Sequence, residues 1–153
     1  SPSISGTYFG DGAYDYGYKS SNGQKKNNSS SSSYGNTYTT NDTVMCAVDL
    51  DNLKVYFGKN GTWQNSGNPA SGSTGTGAAF TITAPSSTNS GDYFFCVADG
   101  TTTNNSRWIC NFGNPPYAIS SGNADSNGYG NFEYAVPSGY LSLNTKNLSE
   151  VLS

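Results

Sequence analysis

Carboxylates are the main side chains in this sequence that could carry acid–base chemistry. The 153 residues contain no histidine, and seven lysines and arginines stand against ten aspartates and glutamates. A serine or threonine nucleophile needs a neighbouring base to activate it, and histidine most often has that role. The composition therefore disfavours acyl-transfer chemistry.

Paired carboxylates could instead form a glycosidase site, in which one acts as the acid and the other as base or nucleophile. Asp49 and Asp51 fall between two apolar runs, where short acidic side chains commonly build a turn. We favour that structural role and expect no catalytic residues, which leaves a glycan-active enzyme as an alternative. The acidic candidates are Asp11, Asp15, Asp49, Asp51, Asp92, Asp99, Asp125 and Glu133.

Neither cysteine nor acidic spacing predicts a metal site. Cys46, Cys96 and Cys110 lie inside apolar runs, show no CxxC spacing and cannot all pair within one chain. Without histidine, zinc has almost no ligands, and neither residues 49–52 nor residues 99–105 have the full spacing of a calcium loop. We expect no metal and no cofactor, and we expect the three thiols to be buried and unpaired.

Aromatic side chains are the better candidates for binding. A tyrosine or tryptophan ring offers an apolar face with a polar edge, which suits both sugars and protein partners. Core packing is the alternative at every such position. The predicted ligand-binding residues are Tyr14, Tyr16, Trp63 and Tyr117.

Short strands must position these residues. Residues 43–50 and 54–57 predict a hairpin, and the period of two places Val44, Cys46, Val48 and Leu50 on its core face. Asn60-Gly61 then predicts a tight chain reversal. Three further strand-length runs occur at residues 78–83, 93–98 and 107–112, and the last would turn Trp108, Cys110 and Phe112 to one face.

The composition between these runs predicts loops. Charged residues make up only 11% of the chain, so Ser, Thr, Asn and Gly must build most of the surface. Residues 20–38 and 120–131 predict long exposed loops, the first with Lys25-Lys26 in solvent. We therefore expect an all-β chain folded as one antiparallel β-sandwich domain over residues 1–153.

Charge and hydropathy exclude two classes of partner. A net charge of −3 gives no basic footprint for neutralising several phosphates, so we expect no nucleic-acid partner. No apolar run approaches the roughly 18 residues of a membrane span, so we expect no membrane insertion.

Two motifs resemble the SPRY family. Residues 44–61, VMCAVDLDNLKVYFGKNG, are similar to its central signature, in which a strand ending in Asp-Leu-Asp-Asn leads to a Tyr-Phe-x-Lys-Asn-Gly strand. Residues 110–117, CNFGNPPY, are similar to the family's later Asn-Phe-Gly strand end. The two occur in the family's order, and the resemblance spans about residues 16–148. It implies a concanavalin A-like jelly-roll sandwich that recognises partners through loops, without catalysis.

The two ends of the chain differ in what the resemblance implies. Family members normally begin with further strands that carry a Trp-Tyr-x-Glu-like motif, and residues 1–18 do not match them. We expect those strands to come from a longer polypeptide, from another chain, or from residues 1–18 as a divergent substitute. At the other end, residues 131–153 form a tail, and the segment 130–148 is similar to one common in phage-encoded and environmental viral SPRY-like proteins.

The expected function is non-enzymatic and virion-based. The chain would be a virion surface or structural protein of the tail-fibre, head-fibre or capsid-decoration type. Its partners would be other virion proteins or a glycan or protein of the host surface, and it would act as a homo-oligomer or multi-copy assembly. A secreted, cell-surface lectin-like adhesin is the alternative.

The strand pattern predicts that the protein has little helix. Far-ultraviolet circular dichroism should give a helix content well below about a third, the share in an average globular protein. A higher helix content would contradict the all-β prediction.

Overall fold

The computed structural model describes residues 9–100 and 106–148, which fall into two compact units, one ending at Ser106 and the other beginning at Arg107. Every strand in these ranges belongs to the first unit, and no helix there is long and apolar enough to cross a membrane. The elements are β1 (Gly17–Tyr18), β2 (Gln24–Asn27), β3 (Ser30–Ser33), β4 (Val44–Asp49), β5 (Lys54–Lys59), β6 (Thr62–Trp63), β7 (Phe80–Thr81), α1 (Thr145–Leu148) and 3₁₀ turns at Gln64–Ser66, Pro69–Thr74 and Pro85–Ser87.

The strands form two antiparallel sheets. The order is β1-β2-β3 in one sheet and β4-β5-β6 in the other, with β7 also paired to β5. Tyr18 of β1 and Tyr34, which follows β3, pack against Phe57 of β5, so the two sheets share one core. The prediction of an all-β antiparallel sandwich is confirmed.

The prediction of an exposed loop over residues 20–38 is wrong, because a hairpin occupies its centre. Strands β2 and β3 pair from Gln24↔Ser33 to Asn27↔Ser30. Asn28 and Ser29 join them with φ values of 49° and 60°. Two consecutive left-handed residues give a turn whose twist matches that of paired strands. The serine run is therefore an exposed outer strand, which a hydropathy pattern does not distinguish from a loop.

Lys25 and Lys26 are likewise not solvated. The Lys25 ammonium donates a hydrogen bond to the Ala79 carbonyl and lies 5.0 Å from the centre of the Phe80 ring. Lys26 forms an ion pair with Asp11. Alternation along β2 directs the two side chains to opposite sides, and the aliphatic stem of a lysine can cover apolar surface while its charged end keeps a polar partner.

The predicted hairpin of β4 and β5 is confirmed. The two strands pair from Val44↔Lys59 to Asp49↔Lys54. Asp49 closes the connection, because its carboxylate accepts bonds from the Asn52 backbone and side-chain amides at 2.9 Å each. The Asn60-Gly61 reversal is also confirmed, with φ values of 47° and 83°.

Both faces of this hairpin are covered. Val55 and Phe57 belong to the buried core, and Val48, opposite Val55, packs against it as predicted. On the other face Tyr56 is fully buried opposite Ala47, with its hydroxyl 3.4 Å from Ser71 Oγ in the Pro69–Thr74 turn. The alternation of residues along β4 predicted the face that carries Val48. It did not predict burial of the opposite face, because the Pro69–Thr74 turn that covers Tyr56 has no regular hydropathy pattern.

The predicted burial of the cysteines is wrong, since Cys46, Cys96 and Cys110 are all exposed. Cys46 projects from the core face of β4, whose far edge pairs with no strand in the described ranges.

Two of the predicted strands are also absent from the described part of the chain. Residues 93–98 and 106–112 are irregular, and only residues 80–81 of the run 78–83 form a strand. Phe112 and Trp108, predicted to face inward, are 43% and 40% exposed. A strand requires a ladder of backbone hydrogen bonds to a neighbouring strand, and no strand pairing is found for these two segments within the described residues.

The second unit is organised around Asp125, which is only 7% exposed. One carboxylate oxygen accepts from the backbone amides of Asn127 and Tyr129 at 3.0 and 2.9 Å. The other accepts from the Ser142 amide at 2.9 Å and the Asn147 side chain at 2.8 Å. Burial acts to raise the pKa of Asp125, but these hydrogen bonds outweigh it and leave the pKa well below its usual range.

We expect Phe57→Ala to destabilise the first unit by about 3–5 kcal/mol, because it removes a buried ring and leaves a cavity. Phe94→Ala is the matched control, since Phe94 is 66% exposed in the same unit. Its cost should stay within about 0.5 kcal/mol. Urea denaturation of both variants measures the difference, and equal losses would show that the core is assigned wrongly.

We also expect the second unit to lose stability in acid. An Asp pKa lowered by folding stabilises the fold above the unfolded value of about 3.9, and that contribution is lost as the pH falls below it. Trp108 fluorescence in a Trp63→Phe background reports on this unit. Acid unfolding should begin below about pH 4. Asp125→Asn should lower stability at pH 7 and flatten the acid dependence, while Asp51→Asn, in the first unit, should leave the Trp108 acid profile unchanged.

Candidate functional site

An open groove lies in the first unit, between the loop that follows β3 and the turn that follows β6. It consists of two adjoining hollows of about 450 and 600 Å³, which share Asn36, Thr62 and Gln64, and the larger one is beside Trp63. Residues from both segments and from the end of β5 form its walls. The lining comprises Ser33, Tyr34, Gly35, Asn36, Thr37, Lys59, Asn60, Thr62, Trp63, Gln64, Asn65 and Ser66.

Trp63 provides the aromatic part of the groove. It is half-buried and pairs with Gly58 across the β5–β6 ladder. A Cβ atom at Gly58 would lie 3.1 Å from the indole Cε3 and would overlap the Met45 methyl carbon, so glycine here lets the ring and the Met45 side chain lie close to the strand. The indole is therefore held by β5 while part of its surface stays in solvent.

Gln64 connects the two walls. It is 4% exposed, accepts a 2.7 Å hydrogen bond from the Asn36 amide and donates a 3.0 Å bond to the Thr62 carbonyl. A Cβ at Gly35 would lie 2.7 Å from the Gln64 side chain, so the missing side chain at Gly35 allows this close approach. The Gln64 bonds set the width of the groove.

Tyr34 forms the floor. Its hydroxyl donates to the Phe57 carbonyl at 3.3 Å and accepts from the Phe57 amide at 3.1 Å. Burial raises the pKa of Tyr34 to about 12, so the hydroxyl remains a donor at neutral pH. The floor is therefore anchored to the central strand.

The cationic group in the lining is neutralised. The Lys59 ammonium lies 3.0 Å from an Asp42 carboxylate oxygen and donates to the Thr37 carbonyl at 2.8 Å. Asp42 also accepts from the Thr39 amide and the Asn60 side chain, and these bonds lower its pKa and keep it ionised. The groove as a whole presents neutral polar groups.

The turn after Trp63 is conformationally strained. Asn65 and Ser66 have φ values of 56° and 53°, and both are exposed. Two consecutive left-handed residues other than glycine cost free energy, and such positions often occur at functional sites. In this turn they carry the Asn65 amide and the Ser66 hydroxyl to the rim.

The structure brings one of the four predicted binding residues, Trp63, to this groove. Tyr14 is half-buried outside the lining, and Tyr16 packs against Phe80 and Tyr93 with its hydroxyl accepting from the Thr83 amide at 3.0 Å. Tyr117 is 42% exposed in the second unit. Their roles in binding stay predictions. Sequence reasoning missed Gln64, Asn65 and Asn36, although the turn-forming asparagines were visible in the sequence.

The candidate carboxylates mostly hold turns. Asp15 accepts from the Gly12 amide at 3.1 Å, Asp99 accepts from the Ser106 amide, and Glu133 binds Ser120 and Ser121. Within residues 9–100 and 106–148 no three His, Cys, Asp or Glu side chains lie together as metal ligands would.

The two packed antiparallel sheets, with an open groove built by their loops, define a β-sandwich domain. The SPRY domain model matches residues 3–97, more than half of the chain, and the chain belongs to the SPRY family. That match includes the β4–β5 hairpin and the groove, and it ends before residues 110–117. Domains of this family are generally non-catalytic modules for protein interactions. A search of curated proteins found no match.

Proposed function

We propose that the protein is a non-enzymatic component of a virion surface, of the tail-fibre, head-fibre or capsid-decoration type, that binds through the groove beside Trp63. The observation that carries the proposal is this groove, whose loop-built walls are held by the Gln64 hydrogen bonds while its rim stays open. A preformed site reduces the entropy lost on binding.

Surface composition supports an extracellular setting. Neutral polar residues dominate the chain, and only 11% of its residues are charged. The similarity of residues 130–148 to phage-encoded SPRY-like proteins favours a virion over a cellular adhesin. The adhesin remains the competing function, because the same groove would serve it equally well.

Exposed apolar side chains support a multi-copy assembly. Phe94, Phe95 and Val97 in the first unit are 66%, 50% and 49% exposed. The outer edge of β4 pairs with no strand among the described residues, and Leu50 at its end is 53% exposed. Exposed apolar side chains near one another in sequence and unpaired strand edges are features of contact sites. In a particle, many weak contacts of this kind would add up through multivalency.

The location can be tested on virus particles purified by density gradient from the culture or sample in which the gene occurs. Mass spectrometry should detect the chain at a fixed, multi-copy ratio to the major capsid protein, and immunogold labelling with antibodies to the 153-residue chain should decorate intact particles. Detection only in the cell envelope or the secreted fraction would contradict the virion assignment and favour the adhesin.

A further inference from the structure

We infer that the groove beside Trp63 binds an uncharged carbohydrate, and this inference rests on the proposed binding function. The chemistry required is an aromatic face for the C–H surface of a sugar ring, neutral donors and acceptors for its hydroxyls, and no net charge. All three occur together at this one place in the first unit.

The rim carries a set of unused hydrogen-bonding groups. Within the described part of the chain, seven lining residues make no hydrogen bond through their side chains: Ser33, Asn36, Thr37, Thr62, Trp63, Asn65 and Ser66. They offer hydroxyl oxygens, amide groups and one indole N–H, which between them both donate and accept. A sugar hydroxyl also donates and accepts, so it can pair with any of them.

Charge separates a sugar from other ligands. The Lys59 ammonium is paired with the Asp42 carboxylate and bonded to the Thr37 carbonyl. Its positive charge is therefore already compensated within the protein. Recognition of phosphate, sulfate or carboxylate groups relies on unpaired basic side chains, often arginine. The groove lining contains no arginine. A neutral ligand therefore fits it better than an anionic one.

The division between fixed and unused groups also fits a binding site. The side chains of Gln64, Asn60 and Lys59 form hydrogen bonds within the protein, and these bonds position the walls of the groove. Trp63 lies against Gly58, which holds the ring. The exposed side chains of the rim thus project from segments that are held in place by hydrogen bonds. Such preorganisation favours binding.

The open shape predicts weak binding by a single copy. The hollow beside Trp63, of about 600 Å³, is within the size range of small-ligand sites, but the rim leaves one side of a ligand in water. Multi-copy display would then supply avidity. The test should therefore present both protein and glycans in multivalent form.

The experiment is an array that displays neutral, sialylated and sulfated glycans together with a peptide library, probed with the biotinylated chain on tetrameric streptavidin. We expect retention on a subset of neutral glycans. Binding should change little between about 0.05 and 0.5 M salt, since screening weakens charge-dependent contacts and leaves neutral ones.

Matched variants locate the site. Asn65→Gly removes the rim amide but keeps the left-handed conformation, so folding should be unaffected while the apparent affinity falls about tenfold, the effect of losing roughly 1.4 kcal/mol. Asn28→Gly makes the same change in the β2–β3 turn, outside the groove lining, where Asn28 has a φ of 49°, and should bind as the unaltered chain does.

Fluorescence supplies a second readout, because the chain has two tryptophans. In Trp108→Phe, Trp63 is the remaining tryptophan, and a neutral oligosaccharide selected on the array should shift its emission when it is excited at the long-wavelength edge of tryptophan absorption, where tyrosine absorbs little. The same sugar should leave the emission of Trp63→Phe unchanged.

Four outcomes would overturn the inference: retention on no glycan, retention on acidic glycans alone, retention on peptides alone, or equal binding by Asn65→Gly and Asn28→Gly. Each leaves the virion assignment standing if the chain is still found on purified particles.

Discussion

The bond between the Tyr34 hydroxyl and the Phe57 backbone is the interaction on which the first unit depends. The Tyr34 hydroxyl accepts a hydrogen bond from the Phe57 backbone amide at 3.1 Å and donates one to the Phe57 carbonyl at 3.3 Å. A buried polar group without partners is costly, so this pair can be buried only when the two sheets are in register with each other. The bond therefore fixes the loop after β3 relative to β5.

The candidate site is a consequence of that constraint. Once Tyr34 is placed, Asn36 follows two residues later and its amide reaches Gln64, which begins the turn after β6. The groove is the space left between two segments that are each tied to β5. Its walls are thus bonded to the same strand as the core, while the rim side chains remain exposed. A binding module benefits from this arrangement, since rim residues can change without altering the fold.

The second unit uses a different constraint. The Asp125 carboxylate accepts hydrogen bonds from the Tyr129 and Ser142 backbone amides and from the Ser142 and Asn147 side chains. No strand ladder is found in this unit within residues 107–148. Hydrogen bonds to a charged acceptor are stronger than those between neutral groups. A short irregular segment can thus be ordered by one side chain, although such order depends on the ionised form.

Local pattern by itself predicted the β4–β5 hairpin, the Asp49 turn and the Asn60-Gly61 reversal, because residues close in sequence supply the strand pairing and the Asp49–Asn52 bonds. The period of two along β4 placed Val48 on the core face. Only the tertiary structure decided that Lys25 lies over the Phe80 ring, that Tyr56 is covered by the Pro69–Thr74 turn, and that Cys46 projects from an open edge. Trp63 could be suspected from its place after a turn, but the Asn36–Gln64 bond that makes a groove beside it joins residues 28 positions apart. Such long-range bonds depend on how the two sheets pack against each other. The periodicity of a sequence does not indicate which distant segments will meet.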